Sequence, residues 1–367
     1  MDTLELEVAG EFWDMQLYRR YALLFSADGK VLTLTFDDLL KATVADAKAL
    51  TFLRSALYSP GLFRDLDEDF LQLFTAKLKH LRESLSPTSA DGLAEYADIQ
   101  DWPFPSPPAD TGILRDTLYV ATPEGGYFGP VEWGGPSPLP PFGVHQPRVP
   151  TYSLALGGSK RQPRVLFCAG DEGVLEVVGG LREPPVVNTV AATHCTVASW
   201  LEGGFLHIGS LLGSGRILTP DELDRSHEGS PQHLPEFEEN FIVEGDGDHS
   251  EPMEHKLSLS WAVWNRVYRA FGNEVYEYRW SVAEPLRPRL DYVRTMTLEH
   301  EVRYGYGARF AGIAETDLGL ELLLKSGETQ SISGEIVRCR SFPRSRNYLR
   351  HLAVIYDDRV VLRVGLA

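Results

Sequence analysis

The residues that could do chemistry in this chain are concentrated in one acidic and one basic stretch. Between Asp221 and Glu254 there are twelve acidic residues and one Arg, and the densest part reads EFEENFIVEGDGDHSEPMEH. Such a composition is typical of a solvated mobile loop, which could also recruit a basic partner, bind a divalent cation or be cut by a protease. We expect 219–256 to be a flexible acidic insertion, with candidate partner-binding residues Glu236, Glu238, Glu239, Glu244, Asp246 and Asp248.

The carboxylates in this stretch do not have the spacing of a known metal motif. An EF-hand loop needs a regular set of oxygen ligands, then a Gly and a distant Glu, and Glu244, Asp246, Asp248 and Glu251 do not match it. His249 and His255 flank the stretch, but no HExxH or similar zinc spacing is present. We therefore predict no metal site and no cofactor.

The basic stretch VRCRSFPRSRNYLRH stands out because the whole chain has a formal net charge of -17. Arginines interleaved with aromatic residues are typical of protein interfaces. The alternatives are solvated arginines on outer strands, or pairing with the acidic insertion of the same chain. The candidate partner-binding residues here are Arg338, Arg340, Phe342, Arg344, Arg346 and Arg350.

No nucleophile in the sequence has the neighbours that catalysis needs. His194 precedes Cys195 directly, but adjacent strand residues point to opposite faces, so the imidazole is badly placed to deprotonate that thiol. Cys168 lies in the apolar run VLFCAGD, where a buried inert thiol is the usual case. There is no GxSxG elbow, and the Gly-rich GSLLGSGRI has no Lys after its last Gly. We name no catalytic residue and favour a non-enzyme.

A hairpin that recurs along the chain must position these residues. The stretch VYRAFGNEVYEYRW shows it well: an apolar strand, a tight Gly-Asn turn and an alternating strand. Seven stretches match this template, and they begin at Tyr21, Leu118, Val165, Phe205, Val267, Arg309 and His351. From the second onward the starts are 47, 40, 62, 42 and 42 residues apart. A four-stranded propeller blade needs about 40 to 45 residues, so the spacing indicates repeated blades.

The chain resembles a seven-bladed β-propeller of the broad WD40-like type, over most of its length. The segment THCTVASWLEGGFLHIGSLLGSGRIL carries the resemblance best, although no blade has a closing Trp-Asp dipeptide or a regular Gly-His opening. The fold expected is all-β, in a single domain over 1–367. Ring closure needs a latch, and the early strands LELEV and YALLF are free to join the C-terminal hairpin. We predict that N- and C-terminal strands share one sheet.

Two further segments interrupt the repeat. Residues 37–87 change to helical periodicity and predict an inserted helical hairpin that packs on the propeller or docks a partner helix. Residues 102–150 carry twelve of the 24 prolines and are expected to run as surface segments flanking one hairpin. Proline-rich PSPLPP could also be read by a proline-binding domain.

Composition limits the partners and the compartment. The net charge would repel a phosphate backbone, which argues against nucleic acid. No apolar run is long enough for a membrane span, and the acidic N-terminus does not resemble a secretory signal. Three cysteines, odd in number and without a CxxC pair, favour a reducing cytoplasm.

These observations favour a non-enzymatic protein-interaction scaffold or regulator, controlled through binding or cleavage of the acidic insertion. Its partner would be a protein, either basic or a protease. The first alternative is a propeller hydrolase or lyase with acidic and His residues around the channel mouth. The second alternative is a small-ligand sensor that uses the central channel. In propellers, loop residues at the channel mouth usually form the binding surface. We expect Trp261 and Trp264 to pack between blades.

Overall fold

The computed structural model describes most of the chain as one ring of β-sheets. The described residues are 3–44, 46–58, 79, 81–134, 138–139, 144–158, 163–179, 183–192, 194–210, 213–225, 242–244, 259–283, 287–343, 345 and 348–365. They form seven sheets, so the prediction of an all-β, seven-bladed propeller is confirmed. Within these ranges, no helix is long and apolar enough to cross a membrane.

The blades follow one another in chain order, and each runs from an innermost to an outermost strand. The first strand, β1 (Thr3–Ala9), belongs to the last blade. Blade 1 consists of β2 (Phe12–Tyr18), β3 (Tyr21–Ser26), β4 (Lys30–Thr35) and, after the short β5 (Thr88–Ser89), β6 (Asp98–Asp101). Blade 2 consists of β7 (Asp110–Leu114), β8 (Thr117–Thr122), β9 (Gly125–Pro130) and β10 (Val144–His145).

Blades 3 and 4 come next. Blade 3 consists of β11 (Ser153–Gly158), β12 (Pro163–Cys168), β13 (Val174–Val178) and β14 (Val186–Ala191). Blade 4, within the described residues, has three strands: β15 (Val197–Trp200), β16 (Leu206–Ser210) and β17 (Gly213–Leu218).

Blades 5 and 7 each have five strands, whereas the others have three or four within the described residues. Blade 5 consists of β19 (Leu259–Val263), β20 (Arg266–Phe271), β21 (Glu274–Ala283) and β22 (Arg287–Thr297), with β18 (Ile242–Glu244) added in parallel outside β22. Blade 6 consists of β23 (Tyr304–Ala308), β24 (Ala311–Thr316), β25 (Gly319–Leu324) and β26 (Thr329–Ser333). Blade 7 consists of β27 (Ile336–Ser341), β28 (His351–Tyr356) and β29 (Arg359–Gly365), completed by β1 and β5.

Each predicted hairpin is the second and third strand of its blade. In blade 5, β20 and β21 pair antiparallel from Arg266↔Arg279 to Phe271↔Glu274. The intervening turn needs Gly272, whose φ of 66° lies in the left-handed region that glycine adopts without a steric penalty. The recurring apolar-turn-alternating pattern therefore marks the middle of a blade, and the innermost strand always precedes it.

Ring closure joins the two ends of the chain, as predicted. Strand β1 pairs antiparallel with β29 from Thr3↔Gly365 to Ala9↔Arg359. Only LELEV takes this place, because YALLF forms β3 in blade 1. Covering the edge of the last hairpin with a strand from the first residues satisfies its backbone hydrogen bonds and closes the ring.

Neighbouring blades pack large side chains against glycines. A Cβ atom added at Gly157 would overlap the ring of Trp200 in the next blade, and one at Gly305 would overlap Trp261. Trp261 is fully buried, which confirms the prediction that it packs between blades. Since interiors are packed to crystal-like density, these aromatic-on-glycine contacts fix the spacing of the inner strands.

The first part of the predicted helical insertion packs beneath blades 7 and 1. Helix α1 (Phe36–Thr43) begins at Thr35, whose side chain accepts a hydrogen bond from the Asp38 backbone N–H at 3.1 Å, and α2 (Ala47–Tyr58) follows. Leu39 and Leu40 are buried in the core shared by these two blades. Most of the second predicted helix lies outside the described residues, because residues 59–78 and 80 are not described.

Two further short α-helices and a 3-10 helix, Glu202–Gly204, lie between strands. Helix α3 (Ala90–Leu93) follows β5, and α4 (Pro220–Arg225) follows β17. In α4, Leu223 is buried between blades 3 and 4, and its carbonyl accepts a hydrogen bond from Arg164 Nη2 at 2.9 Å. The boundaries proposed for the Pro-rich segment and the acidic insertion stay predictions.

Candidate functional site at the open end of the central channel

A cavity of about 1000 Å³ lies at the centre of the ring. Its walls are the last residues of all seven innermost strands and the loops that lead from them to the second strands, which we call the inner loops. Every second strand starts in these loops, so all seven lie at one end of the channel. This open end is a concave surface of the size that binds ligands and peptide side chains.

The charged residues that line the cavity are all of one sign. Four described lining residues are arginines, and the described lining contains no Asp or Glu: the four are Arg19, Arg115, Arg309 and Arg340. Apolar side chains lie between them, among them Leu154, Leu156, Trp200 and Phe342. The open end is therefore a basic, partly apolar surface on an acidic protein.

A buried ionic cluster forms one wall of the channel and joins three blades. Asp14 in β2 accepts hydrogen bonds from Arg340 Nε at 2.6 Å and Nη2 at 2.5 Å, both from β27. Arg338 Nη1 lies 3.3 Å from the same carboxylate, and the Thr111 hydroxyl in β7 donates to it at 2.6 Å. Asp110 in β7 also pairs with Arg340.

The protonation states in this cluster follow from its geometry. Burial acts to raise the pKa of Asp14, but the guanidinium groups of Arg340 and Arg338 outweigh burial and hold that pKa below its ordinary value. Burial alone would lower the pKa of Arg340, but Asp110 and Asp14 raise it above its ordinary value. The cluster is a set of neutralised ion pairs, and a carboxylate with a lowered pKa is a poor proton donor.

Elsewhere at the open end, Trp264 of blade 5 and Arg309 of blade 6 form a partly exposed stacked pair. The guanidinium carbon of Arg309 lies 4.0 Å from the centroid of the Trp264 ring. Trp264 is 38% exposed and has a φ of 55°, a left-handed conformation that is uncommon outside glycine and is held by a hydrogen bond from the Glu202 N–H to its carbonyl at 2.8 Å. The prediction that Trp264 packs between blades is therefore wrong, since its ring lies at the channel mouth.

Further cations surround this pair. Arg266 and Arg294 share the carboxylate of Glu277, with 2.7 Å between Arg294 Nε and Glu277 Oε2. Arg294 Nη2 also donates to the Leu324 carbonyl at 2.6 Å, which fixes the turn that carries Lys325. We call Arg266, Arg294, Arg309 and Lys325 the cationic corner.

The histidines and cysteines of the described residues do not line the cavity. His207 is fully buried between blades, and burial with the nearby Arg269 charge lowers its pKa to about 3. Cys168 and Cys195 are buried next to each other, and burial raises the pKa of Cys195 well above its ordinary value. The described lining contains no His or Cys, and no group of three possible metal ligands occurs in the described part of the chain.

The structure places the sequence-predicted site residues in different parts of the molecule. Arg338 and Arg340 belong to the ionic cluster, Phe342 is a buried lining residue, and Arg350 is exposed beside β24–β25. Glu244 lies in β18, with only its backbone described. The remaining candidates lie outside the described residues: Glu236, Glu238, Glu239, Asp246, Asp248, Arg344 and Arg346. Partner binding by all of these residues stays a prediction.

Sequence reasoning did not single out the inner-loop arginines or the exposed Trp264. A signal for them was present, because an arginine stands just before or at the start of several hairpins, in YRRY, LRDT and ARFA. In a propeller, the residues before the second strand of each blade meet at one end of the channel. Because these arginines stand at the same position of the repeat, aligning the repeats would have predicted that they lie close together.

Comparisons with known proteins show no family for this chain. No family model matches this chain, and no curated protein matches it. Among solved structures, it is similar to the extracellular domain of a protein described as a one-component system of B. thetaiotaomicron, with 9% identity and a TM-score of 0.49. That match covers 96% of this chain, which spans 38% of the length of the other chain.

Proposed function

We propose that this propeller is a non-enzymatic interaction module that binds a partner protein at the open end of its channel. The observation that supports this most is the cavity itself, walled by the inner loops of all seven blades. A site that seven separate loops build can recognise a partner through several contacts while the sheets stay rigid. The fold fits a general interaction or sensing domain.

The chemistry of the cavity favours binding over catalysis. Asp14 and Asp110 are both paired with the lining residue Arg340. With a lowered pKa and two guanidinium partners, Asp14 is poorly suited to donate or accept a catalytic proton. For a hydrolase or lyase we would expect a His or an unpaired acid among the lining side chains.

A small-ligand sensor is the second candidate, and the cavity volume supports it. About 1000 Å³ is at the upper end of the range of small-molecule pockets. The two functions differ in how much of the open end is covered. A small ligand would bind within the cavity, whereas a protein partner would also cover the exposed inner loops. A thermal-shift screen with small anions, run beside the capture experiment below, separates them.

Photo-crosslinking tests the proposed function directly. A photoreactive amino acid replaces Ser199 or Leu349 in the cavity wall, and the control replaces Val186, which is 55% exposed on the outer strand of blade 3. In cell extract, we expect one distinct protein adduct from the cavity positions, suppressed by excess unmodified protein. The same adduct at Val186, or no adduct at the cavity positions, would contradict the proposal.

The compartment and the regulation are parts of the same proposal. All three cysteines are free and buried, which supports a reducing environment such as the cytoplasm. The acidic insertion of 219–256 would control the partner through binding or cleavage. Limited proteolysis with mass spectrometry, with and without extract, tests whether this insertion is cut and whether cutting releases the captured partner.

A further inference from the structure

We infer that the partner presents an acidic segment to the open end, and that Arg309, stacked on Trp264, binds one of its carboxylates. This inference rests on the proposed function and specifies the chemistry of the partner. It assigns a sign of charge and an anchor point, neither of which follows from the propeller fold.

The lining arginines differ in whether a carboxylate pairs with them. Arg340 is neutralised by Asp14 and Asp110, and Arg19 pairs with Asp116 at 2.6 Å. Within the described part of the chain, no carboxylate pairs with Arg309, whose contact is the face of the Trp264 ring. Stacking uses the face of the guanidinium and leaves its N–H edge available for a bidentate carboxylate.

Positive charge is in excess beside the Trp264–Arg309 pair. In the cationic corner, Glu277, whose side chain is 1% exposed, bridges Arg266 and Arg294, and Lys325 carries a further positive charge near Arg266 and Arg309. Burial, and then the charges of Arg266 and Arg309, lower the pKa of Lys325. Cations that disfavour one another in this way would be stabilised by an anion placed among them.

The backbone of the loop that carries Trp264 is held in place by the neighbouring blade. The Trp264 carbonyl accepts from the Glu202 N–H, and Leu201 forms a parallel bridge with Trp264, so the loop backbone is fixed by the neighbouring blade. Apolar walls at Trp200 and Leu156 can take the aliphatic parts of a bound segment. A preorganised aromatic-arginine pair in a partly apolar pocket is a typical interface hot spot.

An acidic protein segment fits these features better than a nucleic acid. The net charge of -17 repels a long phosphate backbone, whereas a short segment reaches the basic open end locally. We therefore commit to a peptide carrying Asp or Glu side chains. Nucleic acid becomes an outcome of the test.

Fluorescence anisotropy with a labelled glutamate octapeptide tests the inference on the full chain. We expect binding at low salt that weakens as salt rises, because the contacts are charge pairs. Arg309→Glu should weaken the peptide affinity by about tenfold, since it removes one attraction and adds one repulsion. Trp264→Ala should also weaken it, because the guanidinium loses its stacking partner.

A matched control is available at the other end of the channel. The Arg359 guanidinium carbon lies 4.4 Å from the centroid of the Tyr356 ring, in a turn opposite to the inner loops. Arg359→Glu makes the same change of charge at a similar stacked arginine, and should leave peptide affinity unchanged. Circular dichroism melting confirms that all three variants are folded.

Three results would overturn the inference: no binding of the octapeptide, equal losses in the two Arg→Glu variants, or equally tight binding of a thymidine oligonucleotide at the same site. The proposed function is tested by a different result. If crosslinks at Ser199 and Leu349 still capture a partner while the octapeptide does not bind, the open end is the binding site and only the acidic chemistry is wrong.

Discussion

Asp14 in the first blade receives two hydrogen bonds from Arg340 in the last blade, across 326 residues of sequence. The carboxylate is fully buried, and Thr111 of blade 2 donates to it as well. The ring is therefore closed twice, by the β1–β29 strand pair at the outer side of the last blade and by these ion pairs at the channel.

Replacing Asp14 tests this second closure. Asp14→Asn keeps the shape but leaves the buried guanidinium groups short of one negative charge, so we expect a loss of about 3 kcal/mol in the free energy of unfolding. Urea denaturation measures it. Asp28→Asn is the control, because the Asp28–Lys30 pair is exposed at both ends and should change stability by less than about 1 kcal/mol. Equal effects of the two variants would show that the cluster does not hold the ring together.

The buried His351 predicts how stability depends on pH. Its ring packs against Phe36 and Tyr348, its nitrogens have no partner within the described residues, and burial lowers its pKa to about 4. The folded state binds this proton less readily than the unfolded chain, whose His pKa is about 6.5. The contribution of neutral His351 to the free energy of unfolding is therefore complete above pH of about 6.5, and is lost as pH falls toward about 4.

His351→Phe should remove that part of the pH dependence. The replacement keeps an aromatic ring among aromatic neighbours, so the variant should fold. Between pH of about 6.5 and 4, we expect wild type to lose up to about 3 kcal/mol relative to the variant, measured by urea denaturation at each pH. Parallel stability curves for the two proteins would contradict a neutral buried imidazole.

Gly157 and Trp200 test the packing of neighbouring blades. Gly157→Ala places a methyl group where the Trp200 ring lies, and should lower the free energy of unfolding by about 1 to 3 kcal/mol. Adding Trp200→Leu should recover part of that loss, because the smaller side chain leaves room for the methyl group. The coupling energy of the double-mutant cycle measures the contact. Strictly additive effects would mean that the two residues do not meet.

Thiol chemistry tests the burial of the cysteines. Cys168, Cys195 and Cys339 are all at most 2% exposed, and burial raises the pKa of Cys195 and Cys339. We expect no reaction of the native protein with a thiol-specific reagent at neutral pH, and reaction of all three thiols in urea. Rapid labelling of the native chain would show that the blades open more readily than this packing allows.

Much of the ring could be predicted from the sequence because its signal is local. A turn such as Gly272–Asn273 between two apolar strands is determined by nearby residues, and its recurrence sets the number of blades. The helical start at Phe36–Thr43 was also readable, since acidic residues open it and leucines line one face. The partner of the C-terminal strand followed from the need to cover a sheet edge.

The site was harder to predict because its residues meet only when the ring closes. Arg340 looked like one of several interface arginines, and only the tertiary structure places Asp14 against it. Trp264 looked like a packing residue because the residues before it, 261–263, are apolar, yet a left-handed turn directs its ring to the channel mouth. Strand β18 was also missed. It has three residues and pairs in parallel outside β22, so no adjacent turn in the sequence predicts it.

Hydrogen–deuterium exchange with and without the captured partner tests the central claim most directly. The account predicts slower exchange in the inner loops 18–21, 114–117, 263–266 and 308–311, and no change in the turns 272–273 and 357–358 at the other end of the channel. Protection of those opposite turns, with the inner loops unchanged, would contradict the claim that this protein binds its partner at the open end.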